Sequence, residues 1–378
     1  MTNTRRLLPP VSRLFESAAL GPLELPNRLV MAPLTRHRAD ADGVPGELMA
    51  VHYAQRATAG LIIAEGTAPS AVGQAYPNIP GIHTAEQVSG WRRVTDAVRG
   101  GADGRGGGAA MFLQLEHGGR VGHPDTSGHV PLAPSAVRLP EQVHTPGGPR
   151  DAVVPRAMTA EDIRSAVADF AAAARNAVEA GFAGVEVHAA NGFLPHQFLA
   201  KNTNLRTDAW GGPVENRIRF AVEVVRAVAG AVGPERTGVR ISPGVDVNGI
   251  DEGDTAEIYP ALLAALAEIR PVYLHVLLTD RERPRLQEYR RAWPGTLIAN
   301  QLLSREQFEA DGGKGVAAGL LAEGADLVSL GRGFLANPDF VERLRTGAPL
   351  NELRPEFLMH VQGAEGYNDY PALANASG

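Results

Sequence analysis

Short apolar runs alternate with longer amphipathic stretches along most of this chain. Runs rich in valine, isoleucine and leucine predict strands at Leu29–Pro33, Leu61–Gly66, Ala109–His117, Gly184–Ala189, Thr237–Pro243, Val272–Thr279, Thr296–Gln301 and Ala325–Arg332. Between them, helical patterns cover Glu47–Thr58, Ala85–Arg99, Thr159–Ala180, Val214–Val232, Thr255–Ile269, a short stretch near Arg285–Arg291, and Ser304–Glu323. Val214, Ile218, Ala221, Val222 and Val225 make one apolar face. Thr159 followed by Asp162 predicts a capping box, and Gly181 a stop to the same helix. Strands alternating with helices at this length predict one α/β domain over residues 1–378, a (β/α)8 TIM barrel. A doubly wound sheet is the competing arrangement. It would want a G-x-G-x-x-G after an early strand, and none is there.

Three stretches interrupt the alternation. Leu14–Arg28 turns around Leu20-Gly21-Pro22 and predicts an N-terminal hairpin that closes the bottom of the barrel. Gly100–Gly108 reads as an exposed insertion without a role. Residues 118–158 have no clear period, and so long a loop after the third strand predicts a cap over the catalytic face.

Composition narrows the classes of function. The formal charge is −6 with both signs scattered, which argues against nucleic acid or an anionic membrane as partner. No cysteine is present, which removes disulfides, thiolate metal sites and cysteine nucleophiles. With no leader-like apolar segment and no long apolar run, the expectation is a soluble cytoplasmic protein.

Barrel chemistry collects at the C-terminal ends of strands. Those ends carry Thr35, Glu65-Gly66-Thr67, Gln114-Leu115-Glu116-His117, His188 with Asn191, Arg240 and Gly331-Arg332. A hydroxyl, a bare backbone, an amide and a fixed cation suit a flat, electron-accepting ring. Gly331-Arg332 suits a phosphate, through close backbone approach and a forked cation. His188 and Asn191 could both aim at one oxygen. The histidines show neither H-x-H nor H-E-x-x-H, so a metal site is rejected. Plainer readings stand beside these: Arg240 as a buried arginine paired to a barrel carboxylate, Gly331 as an ordinary turn glycine, His188 as a structural residue.

The stretch from His188 to Arg217 resembles the old yellow enzyme family of flavin-dependent ene-reductases. Its pattern H-x-x-[HN]-G-Y-L-x-x-Q-F-L, then N-x-R-T-D-x-[YW]-G-G-x-x-E-N-R, is matched without a gap but for Phe193 in place of Tyr. The likeness extends from about Leu14 to Pro371. It implies non-covalent FMN, reduced by NADPH or NADH, and a small activated alkene (enone, enal or nitroalkene) as substrate. It implies that Thr35 bonds the flavin O4, Gln114 the pyrimidine edge, and Arg240 the N1/O2 side, with Pro33, Leu34 and Gly66 alongside. Asn300, Gln301, Gly331 and Arg332 fall at the phosphate, where Ala299-Asn300-Gln301 replaces the family's usual glycine and Asn300 is expected to substitute for it. His188 and Asn191 would hold the substrate oxygen, and Tyr76 would wall the pocket. A homodimer is a possible assembly.

Three departures gather around the substrate. Phe193 replaces the family's proton-donating Tyr, Glu116 stands where a Trp is usual, and His360 lies where Phe-Tyr is often found. They keep two further readings open: an FMN enzyme of redirected chemistry, isomerising or desaturating, and a flavin- or ligand-binding protein without catalysis. Glu116 could bind a basic amine, or donate a proton if burial raises its pKa.

Overall fold

Eight parallel strands close on themselves: β1 (Leu29–Met31), β2 (Leu61–Thr67), β3 (Ala110–Leu115), β4 (Gly184–Ala189), β5 (Thr237–Ile241), β6 (Tyr273–Leu278), β7 (Thr296–Gln301) and β8 (Leu327–Leu330). Closure is made by β1, which pairs with β8 on one side and β2 on the other. The structure, a computed structural model, describes residues 11–101 and 108–373. The N-terminal ten residues and the middle of the Gly100–Gly108 insertion lie outside it.

Two-residue alternation sorts each strand into an inward and an outward set. Outward residues such as Ile62, Leu113, Val185, Val187, Val239 and Val276 join the helices in the main core. Inward residues at the bottom, among them Val30, Ile63, Phe112, Tyr273, Ile298 and Leu327, form a second apolar cluster with Leu20 and Leu25. Those two leucines come from the predicted hairpin, Ala18–Leu20 against Leu23–Leu25. Its two-residue turn needs positive φ at Gly21 (+55°), which glycine adopts freely. The hairpin therefore plugs the barrel floor, as expected.

Helix α1 (Ala160–Glu179) buries Ile163, Ala166, Phe170, Ala173, Ala174 and Ala177, a stripe at helical spacing. Its capping box is present: Asp162 N–H donates to Thr159 Oγ1 at 3.2 Å, and Thr159 N–H to Asp162 Oδ2 at 2.7 Å. Two helical predictions need correction. Val214–Val232 runs as Val214–Arg217 and Arg219–Val232, and Ser304–Glu323 as Arg305–Asp311 and Lys314–Ala322. The second break sits at Gly312 and Gly313, both left-handed (φ +70° and +87°). A further helix, Phe340–Thr346, had not been predicted.

The 118–158 loop is more ordered than its lack of period suggested. It carries an antiparallel hairpin, Gln142–Thr145 with Gly148–Asp151, over a small core of Leu139, Val143 and Ala152. Arg120 ties the loop's start to the carbonyls of Asn248 and Gly249, each at 2.9 Å. Among the described residues, no helix is long and apolar enough to cross a membrane.

Candidate active site

Directly above the apolar floor, the inward positions turn polar. Gln114 Nε2 donates to Glu186 Oε1 at 2.8 Å, and Glu186 Oε2 lies 2.8 Å from His275 Nδ1. His275 Nε2 is 2.7 Å from Ser329 Oγ. Burial and Arg240 push the His275 pKa down to about 4, so the ring is neutral. Nδ1 then carries the hydrogen toward Glu186, leaving Nε2 to accept. Burial alone would raise Glu186, but His275, Arg240 and Gln114 hold it below the usual carboxylate range.

Arg240 completes this layer. Its Nη1 is 3.0 Å from His275 Nε2, and its Nη2 donates to Asn300 Oδ1 at 2.9 Å. Among the described residues no carboxylate touches it directly; its charge is balanced by Glu186 across the His275 ring, as the plainer reading of a paired barrel arginine allows. Arg240 Nε is buried without a partner. A buried cation with neutral groups in direct contact and an unused N–H fits the electron-rich edge of a flavin. Gln114 is likewise buried on the inner wall, and Pro33, Leu34 and Thr35 are half-buried beyond the end of β1.

Next along β4, two residues above Glu186, stands His188. Burial and the nearby Arg240 hold its pKa well below the ordinary histidine range. Asn191 follows in the left-handed conformation (φ +54°), one asparagine tolerates better than most residues. Its backbone is fixed on both sides: the N–H donates to Ser242 Oγ at 2.8 Å, and the carbonyl accepts from Asn248 Nδ2 at 2.8 Å. The side chains are left over. His188 Nδ1 and Asn191 Oδ1 are both buried without partners, which is what a pair reserved for a ligand looks like.

Glu116, at the end of β3, faces His188 with Oε2 3.8 Å from Nε2. It is 2 % exposed, and its Oε1 has no hydrogen-bond partner. Burial and repulsion by Glu65 push its pKa up to about 8. Gly66 is cofactor-lining by resemblance, but its missing side chain serves this carboxyl too: a Cβ there would lie 2.3 Å from Glu116 Oε2.

The wall is aromatic. Phe193 packs edge-on against Tyr76 (centroids 6.5 Å) and tilted against His188 (4.9 Å), in a cluster with Ala68, Ala75, Ile79 and Val121. His360 is exposed; it stacks on His144 of the loop hairpin at 3.8 Å and meets Tyr76 edge-on at 6.4 Å. What brings His360 here is a clamp between distant segments. Arg36 Nε donates to the Leu358 carbonyl at 3.0 Å, Arg38 Nη2 to that of Phe357 at 3.3 Å, and both guanidinium groups lie 4.9 Å from the Tyr367 ring centre.

At the β7–β8 rim the residues divide. Asn300 is a regular strand residue without positive φ, and its side chain bridges Arg240 and the Ser329 carbonyl (2.9 Å). The expected glycine-like backbone is therefore absent. Gln301 is engaged by Asp280 and Arg283, at 2.6 and 2.5 Å. Gly331 abuts Leu34, whose Cδ1 would be 3.0 Å from an added Cβ. Arg332 is exposed, with one long contact to the Leu303 carbonyl (3.4 Å), and borders a cavity of about 1010 Å³ shared with Arg305 and Lys314.

Glu186, His275 and Ser329 were not predicted. Each is a polar residue two positions beyond or before an inward one, and that alternation was the available signal.

The family model described as NADH:flavin oxidoreductase / NADH oxidase matches residues 13–351. A putative 12-oxophytodienoate reductase 3 of Oryza sativa subsp. japonica is 39% identical, over 94% of this chain and 91% of its own. A probable flavin mononucleotide-dependent alkene reductase of Leishmania infantum is 40% identical, over 94% and 96%. Among solved structures, the old yellow enzyme homologue of Zymomonas mobilis superposes with a TM-score of 0.88 at 37% identity, covering 95% of this chain and 99% of that one. Morphinone reductase in complex with tetrahydroNAD gives a TM-score of 0.87 at 40% identity, covering 97% and 99%. The chain belongs to the NADH:flavin oxidoreductase / NADH oxidase family, the old yellow enzymes.

Proposed function

We propose that this protein is an ene-reductase in which FMN, reduced by NADPH or NADH, passes hydride to an activated alkene. The observation that carries the reading is that His188 Nδ1 and Asn191 Oδ1 are buried without partners, so an imidazole and an amide whose Nδ2 is its donor stand uncommitted at the barrel mouth beside buried Arg240. FMN, when bound, supplies the hydride acceptor and donor. Arg240 would place positive charge where a reduced ring is richest in electrons, and Gln114 would offer its amide to the polar edge. Arg332, with Arg305 and Lys314 across the cavity, is available to a phosphate.

His188 and Asn191 receive the oxygen of an enone, enal or nitroalkene. Negative charge grows on that oxygen as the alkene is reduced, so donors placed there favour the transition state over the ground state. The neutral imidazole keeps one N–H for the task. Tyr76 and Phe193 exclude water from the apolar side, and the loop hairpin carrying His144 serves as a cap. The similarity to alkene reductases over nearly the whole chain does not favour an isomerase, a desaturase or a ligand-binding protein without catalysis.

A visible spectrum of the purified protein, followed by denaturation and chromatography, tests the cofactor: FMN and not FAD should be released. Turnover of NADPH and NADH with cyclohexenone and a nitrostyrene tests the reaction. A colourless protein that takes up no added FMN would overturn the reading.

A further inference from the structure

The reduction needs a proton at the substrate's α-carbon as well as hydride at the β-carbon, and Phe193 has none to give. Several other groups near the mouth carry exchangeable protons. Tyr76 is half-buried, and desolvation and Glu116 raise its pKa above the ordinary tyrosine value, which makes it a weaker acid. His360 and His37 are both shifted down, chiefly by burial, so neither is a cation with a proton to spare at neutral pH. His188 is neutral for the same reason and is needed at the oxygen. Glu116 remains. It is enclosed, one carboxyl oxygen lacks any partner, and the other lies 3.8 Å from Nε2 of His188. It occupies the space that Gly66 leaves bare.

We propose that Glu116, as a neutral carboxylic acid, is the residue that protonates the substrate, in place of the hydroxyl missing at Phe193. The inference rests on the ene-reductase reading. When hydride arrives at the β-carbon, the alkene electron pair moves toward the oxygen held by His188 and Asn191, giving an enolate. The enolate's C=C pair then takes the proton at the α-carbon as the Glu116 O–H bond breaks. The carboxylate left behind regains its proton from water. The α-carbon is two bonds from the bound oxygen, and so within reach of a group that flanks His188. The groups that set Glu116's charge are Glu65 from β2, whose repulsion keeps the proton on, His188 from β4, neutral, and Tyr76 from the loop after β2, also neutral. With its pKa near 8, the acid is loaded at neutral pH and still weak enough to reload.

Glu116→Gln keeps the shape and removes the acid. Stopped-flow reoxidation of the reduced holoenzyme is measured with cyclohexenone and with a nitrostyrene, whose nitronate product needs no enzymic proton. The enone rate should fall at least about tenfold further than the nitroalkene rate, in line with the roughly 10²–10⁴-fold typical of general acids. The wild-type enone rate should decline above about pH 8, and the variant's should not. Phe193→Tyr alone should change the enone rate little, because an acid is already present. Combined with Glu116→Gln it should restore the rate without restoring the decline. A readout independent of turnover is the infrared carbonyl band of a protonated carboxyl, in the wild-type-minus-variant difference spectrum. It should be present at pH 7 and fade as pH passes about 8. Equal slowing of both substrates, or no such band at neutral pH, overturns the proposal; the latter makes Glu116 an ionised carboxylate suited to a basic amine. A wild type that reduces neither substrate overturns the ene-reductase reading itself, whatever the infrared band shows.

Discussion

A phenolate is a stable mimic of the oxyanion that His188 and Asn191 are placed to receive, and its binding should depend on the charge of Glu116. The perturbation is pH alone, with a phenol acidic enough to be fully ionised throughout. A phenolate oxygen held by His188 would stand close to a carboxyl whose Oε2 is 3.8 Å from Nε2 of that imidazole. Two unit charges about 4 Å apart repel by about 4 kcal/mol at an effective dielectric near 20, so the ionised carboxylate and the anion exclude each other. Below pH 8 the carboxyl is neutral and the anion binds freely. Above it, each further pH unit depletes the competent form tenfold. Between pH 7 and pH 9 the Kd should therefore weaken by about tenfold, and by reciprocity the bound anion raises the Glu116 pKa further. His188 does not contribute, because its own titration lies well below this window. The assay is titration of the long-wavelength charge-transfer band that a phenolate gives over oxidised flavin. In Glu116→Gln the Kd should stay flat. A wild-type Kd that is flat from pH 7 to pH 9 would refute the reasoning, as would a variant that keeps the loss.

Three other outcomes are expected. Replacing both His188 and Asn191 by Ala should abolish the phenolate band while leaving the flavin spectrum in place; a surviving band would move the anion site elsewhere. Glu116→Gln should also change stability with a defined sign. A carboxyl raised from about 4.5 to about 8 in the folded state gives stability that is full below the lower value and lost as pH rises through the upper one. The variant's Tm should accordingly exceed the wild type's at pH 8 and match it near pH 4.5, and equal values at both pH would count against a buried neutral acid. Thr159→Ala removes one half of the α1 capping box and should cost about 1 kcal/mol, read as a lower urea midpoint with an unchanged slope.

How far the site was legible in the sequence follows from the barrel's own period. Along β3 the inward residues read Phe112, Gln114, then Glu116; along β4, Gly184, Glu186, His188; along β6, Tyr273 then His275; along β8, Leu327, Ser329, Gly331. β3, β4 and β8 each pass from the floor to a polar middle to chemistry at the mouth. Strand-end residues could be picked out because barrels put function there, whereas Glu186, His275 and Ser329 lie one inward step deeper, inside runs that otherwise read as core. The two-residue count marks them: a buried polar side chain on a strand must meet a partner, and on these three strands the inward face supplies it. Other features had no local signal. The Arg36 and Arg38 clamp joins residues more than 300 positions apart, so nothing near either arginine announces it. The fit of Glu116 over Gly66 beside His188 likewise joins three strands, β3, β2 and β4, whose residues become neighbours only when the barrel closes. A departure from a family pattern can be read from sequence; whether the new residue is charged, neutral or partnered depends on that closure. Glu116 in an open loop would be an ordinary carboxylate, and it is enclosure against Glu65 and a neutral histidine that makes it an acid.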